Sequence, residues 1–153
     1  MGTFHQHDTF FAAQHARLKL REFGDGRAEL ISYVRPDVAA DRGSDYVLAL
    51  VDRPNEVRAA LEHALGVVCT VTKVRQLLLL GATRIHLDEV EGLGSFVELE
   101  TVVDQQSEDE ARTELRAVAN ALNIRPAQLI GAPYAVLLEG RPQQQAETQP
   151  RAQ

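Results

Sequence analysis

A guanidinium, an imidazole and several carboxylates on one surface can grip an anion and a cation together. Arg84-Ile85-His86-Leu87-Asp88-Glu89-Val90 supplies such a set if it runs as a strand. A period of two puts Arg84, His86 and Asp88 on one face, with Ile85, Leu87 and Val90 assigned to the other. Glu91-Gly92-Leu93-Gly94 makes a turn, and Phe96 to Val103 alternates again, with Glu98 and Glu100 on one side and Val97 and Leu99 on the other. The plain alternative is the solvated face of an ordinary antiparallel hairpin. Two further stretches weigh against it: Arg17, Lys19 and Arg21 share one face of a strand, as do Lys73 and Arg75. In a sheet closed on itself, such rows can point inward and line a charged lumen. A lumen of both signs suits a metal-bound polyphosphate, in which carboxylates hold the cation and Lys and Arg hold phosphate oxygens.

These rows need strands to position them. Phe4–Phe11 reads as a short first strand with a solvated, frayed start, interrupted by the polar residues His7 and Asp8. His5 and His7 lie one strand period apart and could bind a metal, but no third ligand lies near them in sequence. Leu18–Phe23 and Arg27–Val34 flank a Gly24-Asp25-Gly26 hairpin turn. Pro36 to Ser44 reads as a loop and Asp45–Val51 as a strand. A helix follows, with Asp52 as its cap, Pro54 in its first turn, an apolar stripe at Val57, Leu61 and Leu65, and Gly66 at its end.

Val67–Leu80 is one long apolar strand broken by Lys73, Arg75 and Gln76, and Gly81-Ala82 turns it into the central hairpin. On an edge strand, Lys73 and Arg75 would instead be surface gatekeepers. Ser107 and Glu110 have capping-box spacing and open a helix to about residue 121, with Ala111, Leu115, Val118 and Leu122 on its buried stripe. Pro126 starts a short helix through Ile130, and Tyr134–Leu138 is an apolar segment plugging one end of the barrel. Residues 141–153, rich in Gln and Pro, read as a disordered tail.

At 153 residues the chain is long enough for one domain, and its 44% hydrophobic and 25% charged content is that of a soluble globular protein. A net charge of −6, from 16 basic and 22 acidic residues, disfavours a nonspecific nucleic-acid binder. The single Cys69 reads as a buried, inert thiol. With no signal peptide and no apolar run long enough to span a membrane, the cytoplasm is the expected location.

The run Arg84 to Gly94, followed by Phe96-Val97-Glu98-Leu99-Glu100, resembles the signature hairpin of the CYTH superfamily, the class IV adenylate cyclases and thiamine triphosphatases, or triphosphate tunnel metalloenzymes. The resemblance extends through Arg17-Leu18-Lys19-Leu20-Arg21-Glu22, Tyr33-Val34-Arg35-Pro36-Asp37, Ser44-Asp45-Tyr46, Thr72-Lys73-Val74-Arg75, Leu129-Ile130-Gly131 and Tyr134. It covers roughly His5 to Leu138 and is closest to the class IV cyclase-like branch.

It implies an α+β domain over residues 1–140, an antiparallel β-barrel of the triphosphate-tunnel type with flanking helices. It also implies a metal-dependent enzyme acting on a triphosphate or other organic phosphate. Lys19, Arg21, Lys73, Arg75 and Arg84 are assigned by it to phosphate binding. The family commonly has a lysine two residues before the proline of its third strand; here that position is Val34, and Arg35, beside Pro36, supplies the cation. Glu98 and Glu100 resemble the family's metal-binding pair, with Asp88 as a third ligand, for Mg2+ or Mn2+. Asp88 and His86 are the catalytic candidates, His86 either tuning a proton transfer or hydrogen-bonding a carboxylate.

Such a site would take ATP, tripolyphosphate or thiamine triphosphate, as triphosphatase or cyclase. Family members begin with a Glu-x-Glu-x-Lys strand and a helix, and this sequence starts at what resembles the second strand. An incomplete barrel has two unpaired edges, which invites a homodimer or a strand donated by another chain, and it favours the alternative of a non-catalytic module that binds a phosphate ligand or partner.

Overall fold

A computed structural model describes residues 2–34, 45–104 and 106–140. Seven strands, β1 Gly2–Phe11, β2 Arg17–Phe23, β3 Ala28–Val34, β4 Asp45–Leu50, β5 Val67–Leu80, β6 Thr83–Val90 and β7 Gly94–Thr101, are joined by the helices α1 Pro54–Leu65, α2 Glu108–Ala121 and α3 Tyr134–Glu139. The strands form one antiparallel sheet in the order β4-β3-β2-β1-β5-β6-β7. This is the expected α+β architecture, with β4 and β7 as its edges among the described residues. Arg35, the loop from Pro36 to Ser44 and the tail of residues 141–153 lie outside the described residues.

The first strand differs most from expectation. β1 is ten residues long and central, paired with β2 on one side and β5 on the other. Far from fraying, it buries Gln6 and Asp8 on one face and Thr9 and Phe11 on the other. Pairing along both edges satisfies its backbone groups, which an end strand could not achieve.

Period-two alternation gives the sheet a charged face and an opposite face. On the opposite face Phe11, Leu20 and Ala28 form a core with Leu18 and Leu30, and α1 closes it with Val57 and Leu61. Arg53 rather than Asp52 stands at the N-cap of α1 without a side-chain cap, and Pro54 occupies the first turn as expected. The helix α2 covers the β6–β7 end through Ala111 and Val118. Its capping box forms as the spacing predicts, with Ser107 N–H donating to Glu110 Oε2 at 2.8 Å and Glu110 N–H to Ser107 Oγ at 3.3 Å. Glu114 of α2 accepts from Ala82 N–H at 2.8 Å and from Thr83 Oγ1 at 3.0 Å, so it ties the β5–β6 turn to the helix. Gly81 in that turn has φ +62, and a Cβ there would stand 2.6 Å from Glu114 Oε1. The positive φ calls for glycine, and a Cβ there would push the Glu114 carboxylate aside.

Among the described residues the charged face is covered at one end only, by α3. Ala135 packs with Val71 and Val90, ringed by Phe10, Cys69, Leu93, Phe96, Tyr134 and Leu138. Val90 thus belongs to the face of Asp88, as its even spacing requires, and not to that of Ile85 and Leu87. Cys69 is half-buried rather than enclosed, and burial raises its thiol pKa. Between Pro126 and Tyr134 the expected short helix is a single 3-10 turn, Pro126–Gln128.

Candidate functional site

Beyond α3 the charged face has no covering layer among the described residues, yet Asp8, Lys73, Arg75, His86 and Asp88 are all buried there. The strands must therefore wrap around them. Lys19 on β2 and Glu98 on β7 are four strand spacings apart, ~19 Å in a flat sheet. Their charges nevertheless act on one another, as do those of Arg21 and Arg75. The sheet curls, and the rows of opposite charge face a common space.

Two clusters of the same design occupy that space. In each, an aspartate stands directly across from an arginine on the neighbouring strand, with a lysine two residues before the arginine. Asp8 pairs in register with Arg21, and Asp88 with Arg75. Lys19 Nζ donates to Asp8 Oδ2 at 2.8 Å, while Arg21 donates through Nε to Oδ1 and through its terminal nitrogen to Oδ2, both at 2.7 Å. Arg75 binds Asp88 in the same fork at 2.6 Å on each side, and Lys73 Nζ donates to Asp88 Oδ2 at 2.9 Å. Alternation at two residues per period is what lets Lys-x-Arg place both cations over one carboxylate.

The second cluster is larger. Arg75 also donates to Glu98 Oε2 at 2.6 Å, and Tyr134 Oη donates to Asp88 Oδ2 at 3.0 Å. The Lys73 ammonium lies 5.0 Å from the Tyr134 ring centroid, and that ring packs at 5.0 Å on Phe96. His86 Nδ1 stands 3.5 Å from Glu98 Oε2, too far for a strong hydrogen bond, and has no hydrogen-bond partner.

Burial would raise the carboxyl pKa of Asp8, but Arg21 and Lys19 outweigh it and hold the group well below the usual range. Asp88 is held down against burial in the same way by Arg75 and Lys73, and Glu98 by His86, Arg75 and Lys73. Burial lowers both lysines; for Lys73 the adjacent Arg75 charge adds to it, and the group falls to about 8. Burial and the Asp88 charge raise the Tyr134 phenol.

Of the residues the sequence singled out, Lys19, Arg21, Lys73, Arg75, His86, Asp88 and Glu98 come together. Arg84 and Glu100 pair at the exposed end of the same face, 3.5 Å apart and 44% and 46% exposed. The expected metal trio is not assembled: among the described residues no three His, Cys, Asp or Glu side chains form a metal-holding group. Both oxygens of Asp88 accept hydrogen bonds, from Lys73, Arg75 and Tyr134. Glu98 and Glu100, paired with Arg75 and Arg84, are hard oxygen donors two residues apart on one face of β7. This is a donor type that fits Mg2+ or Mn2+ with water and phosphate oxygens completing the shell.

Two members were not recognised from sequence. Asp8 reads as a polar interruption of a strand, and the signal for its role is its depletion in strands together with its spacing from Gln6 and Phe10. Tyr134 reads as part of an apolar plug, and only the packing of α3 shows that its hydroxyl reaches Asp88.

The model of the CYTH domain matches residues 1–134. The chain belongs to the CYTH family. Its fold is similar to that of the PH1012 protein of Pyrococcus horikoshii OT3, at a TM-score of 0.81 and 19% identity over 90% of this chain and 84% of that one. A Vibrio parahaemolyticus protein solved as a candidate adenylate cyclase matches at 0.73 and 20% identity over 90% and 81%. A Bacillus halodurans protein of the same description matches at 0.63 and 16% identity over 86% and 79%. No curated protein matches the sequence. The CYTH assignment agrees with the resemblance carried by the hairpin, and the described residues contain no helix long and apolar enough to cross a membrane.

Proposed function

We propose that this CYTH protein binds a triphosphate or other organic phosphate on its curled charged face and acts on it by metal-assisted phosphoryl chemistry. The observation that carries this reading is the convergence of the half-buried Lys19 and Arg21 with the buried Lys73 and Arg75 on one curled face, with Glu98 beside Arg75. Cations at hydrogen-bonding distance from carboxylates can exchange those partners for phosphate oxygens, which are likewise anionic acceptors that an Arg fork can bind in pairs. Asp8 and Asp88 are then positioning residues: each holds its Lys and Arg side by side in the arrangement an incoming phosphate would need. Glu98 and Glu100 would hold Mg2+ or Mn2+, which when bound polarises the phosphoryl group and neutralises leaving-group charge. The Vibrio and Bacillus relatives, described as candidate adenylate cyclases, support a nucleotide among the ligands.

In the two clusters four cations face three carboxylates, Asp8, Asp88 and Glu98, leaving one positive charge in excess. A triphosphate of about four negative charges is not neutralised by that excess, so its binding should require divalent metal. The same near-balance favours a second reading, a binding module without turnover. Phosphate or pyrophosphate release from ATP, tripolyphosphate or thiamine triphosphate in the presence of Mg2+ or Mn2+ decides between them. Glu98→Gln with Glu100→Gln should lower that release at least ~100-fold, the scale of losing a charge that acts in the transition state. Equal background in wild type and double variant selects the binding module.

The Lys73 ammonium supplies a pH test. As its pKa lies at about 8, it loses its proton through that pH, and phosphate affinity should fall between pH 7 and 9. Stability moves the other way: the unfolded lysine keeps its proton to about 10.4, so the unfolded state binds more protons in this window and the contribution of Lys73 to stability rises with pH. Calorimetric titration with tripolyphosphate and Mg2+ at several pH values, beside melting curves, should show affinity dropping without a matching drop in melting temperature. A flat affinity profile would place the titrating group elsewhere.

A further inference from the structure

Among the described residues, three enclosed side-chain atoms have no hydrogen-bond partner: Gln6 Oε1, Thr9 Oγ1 and His86 Nδ1. Thr9 lies on the face of Phe11 and the apolar core, and His86 has Glu98 at 3.5 Å. Gln6 is different, because it belongs to the charged face, 6% exposed and two residues before Asp8. In register it stands between Phe23 on β2 and Lys73 on β5. Its strand β1 separates the Lys-x-Arg row of β2 from that of β5, so Gln6 sits in the seam between the two clusters. The Arg21 charge is felt at Lys73 across that seam. An enclosed acceptor without a donor costs free energy that an apolar side chain of the same shape would not. A donor that arrives with the ligand removes the cost. Phosphate oxygens cannot supply it, since they are acceptors themselves and are matched to the neighbouring cations. The carbonyl oxygen of a glutamine instead suits an O–H, and the O–H that phosphoryl transfer brings is that of the attacking oxygen.

We infer, resting on the phosphoryl-transfer reading above, that Gln6 is a catalytic residue whose side-chain carbonyl accepts the hydrogen bond of the attacking O–H, in the seam where the phosphate chain meets both clusters. That O–H belongs to water or to a hydroxyl of the substrate itself. The seam opens as Lys73 and Arg21 exchange their aspartates for phosphate oxygens. The attacking oxygen then forms a bond to phosphorus while the bond from phosphorus to the departing phosphate oxygen breaks, and that bond's electron pair leaves with the departing oxygen. The proton of the attacking O–H ends on a product phosphate oxygen or in solvent. Gln6 takes no proton, because an amide carbonyl is too weak a base; it aims the attacking lone pair at phosphorus. For a loose transition state, such positioning is much of what a protein can contribute.

Gln6→Met keeps the length of the side chain and removes the acceptor. On the full chain with Mg2+ it should lower kcat at least ~10-fold and leave the affinity for imidotriphosphate, measured by calorimetry, within about twofold. Its melting temperature should equal or exceed that of wild type, since no bonded group is lost. Gln6→Asn, which keeps the amide but draws it back by one carbon, should show the same split between rate and binding. Tripolyphosphate has no hydroxyl of its own, so a slower phosphate release from it assigns the O–H to water. A loss confined to pyrophosphate release from ATP assigns it to the substrate's hydroxyl. An unchanged kcat would overturn the role of Gln6, as would affinity falling in parallel with rate, which marks a contact made equally in the bound ground state. A lowered melting temperature would overturn it too, by showing that the amide is bonded within the fold. In each of these cases an active wild type leaves the phosphoryl-transfer reading standing. If wild type releases neither product, that reading fails and this one with it.

Discussion

Asp8→Asn should destabilise the protein by about 3–5 kcal/mol, the scale of leaving buried charges without their partner. Asp8 is 2% exposed, and its two oxygens receive three hydrogen bonds from Lys19 and Arg21, whose side chains are each 13% exposed. Asparagine keeps the volume but removes the charge, and its amide turns a donor toward a cation. Two positive charges are then buried side by side, each of which already feels the other. A urea midpoint shifted down at unchanged slope is the expected measurement.

Replacing the whole cluster, Asp8→Leu with Lys19→Met and Arg21→Met, should recover most of the loss, because no charge is left to desolvate. The pH dependence separates this from loss of packing. The folded pKa values of Asp8, Asp88 and Glu98 are depressed, so the stability they contribute is fully present above the unfolded carboxylate value of about 4 and is lost as pH falls toward the folded values. Wild type should therefore lose stability steeply below pH 4, and Asp8→Asn less steeply. A cost below about 1 kcal/mol would mean that Asp8 is solvated and the sheet does not wrap around it.

This cluster also marks the boundary of what the sequence discloses. Alternation sets faces wherever a strand is long enough, which is why Lys19 with Arg21, Lys73 with Arg75, and Glu98 with Glu100 fall on one surface as expected. Strand limits for β5 and the capping box of α2 follow from equally local signals. Alternation carries no information about which strands lie side by side, so β1, first in the chain, could be read as a frayed end and yet occupies the middle of the sheet. The central position turns Asp8 from a polar interruption into the hub of a cluster. Partner choice is lost in the same way. From its own hairpin Asp88 reads as a metal ligand, and nothing in that hairpin discloses that a lysine and an arginine from β5 and a tyrosine 46 residues further on donate to its oxygens. Tyr134 is invisible as a site residue because a helix of six residues has too little pattern to show which side chain enters the site.

Arg75 is the residue whose loss should reach furthest, since it hydrogen-bonds to both Asp88 and Glu98. Its guanidinium makes three contacts of 2.6 Å with two carboxylates, a bridge that a single ammonium cannot span. Arg75→Gln should cost about 3 kcal/mol of stability and, on the proposed function, lower polyphosphate affinity at least ~100-fold, because one buried cation disappears while three carboxylates remain. Arg75→Lys should restore the charge but little of the affinity. A third readout distinguishes this from general damage. Burial and then the Arg75 charge hold Lys73 at about 8, so removing Arg75 should raise the Lys73 pKa and move the midpoint of any residual anion binding upward. In Arg75→Lys the neighbouring charge persists and the midpoint should stay near that of wild type. Binding titrations across pH 6 to 10 on the three proteins would show it. An unmoved midpoint in Arg75→Gln would mean that burial alone sets the lysine and that the two cations do not share the face as closely as their common carboxylate requires.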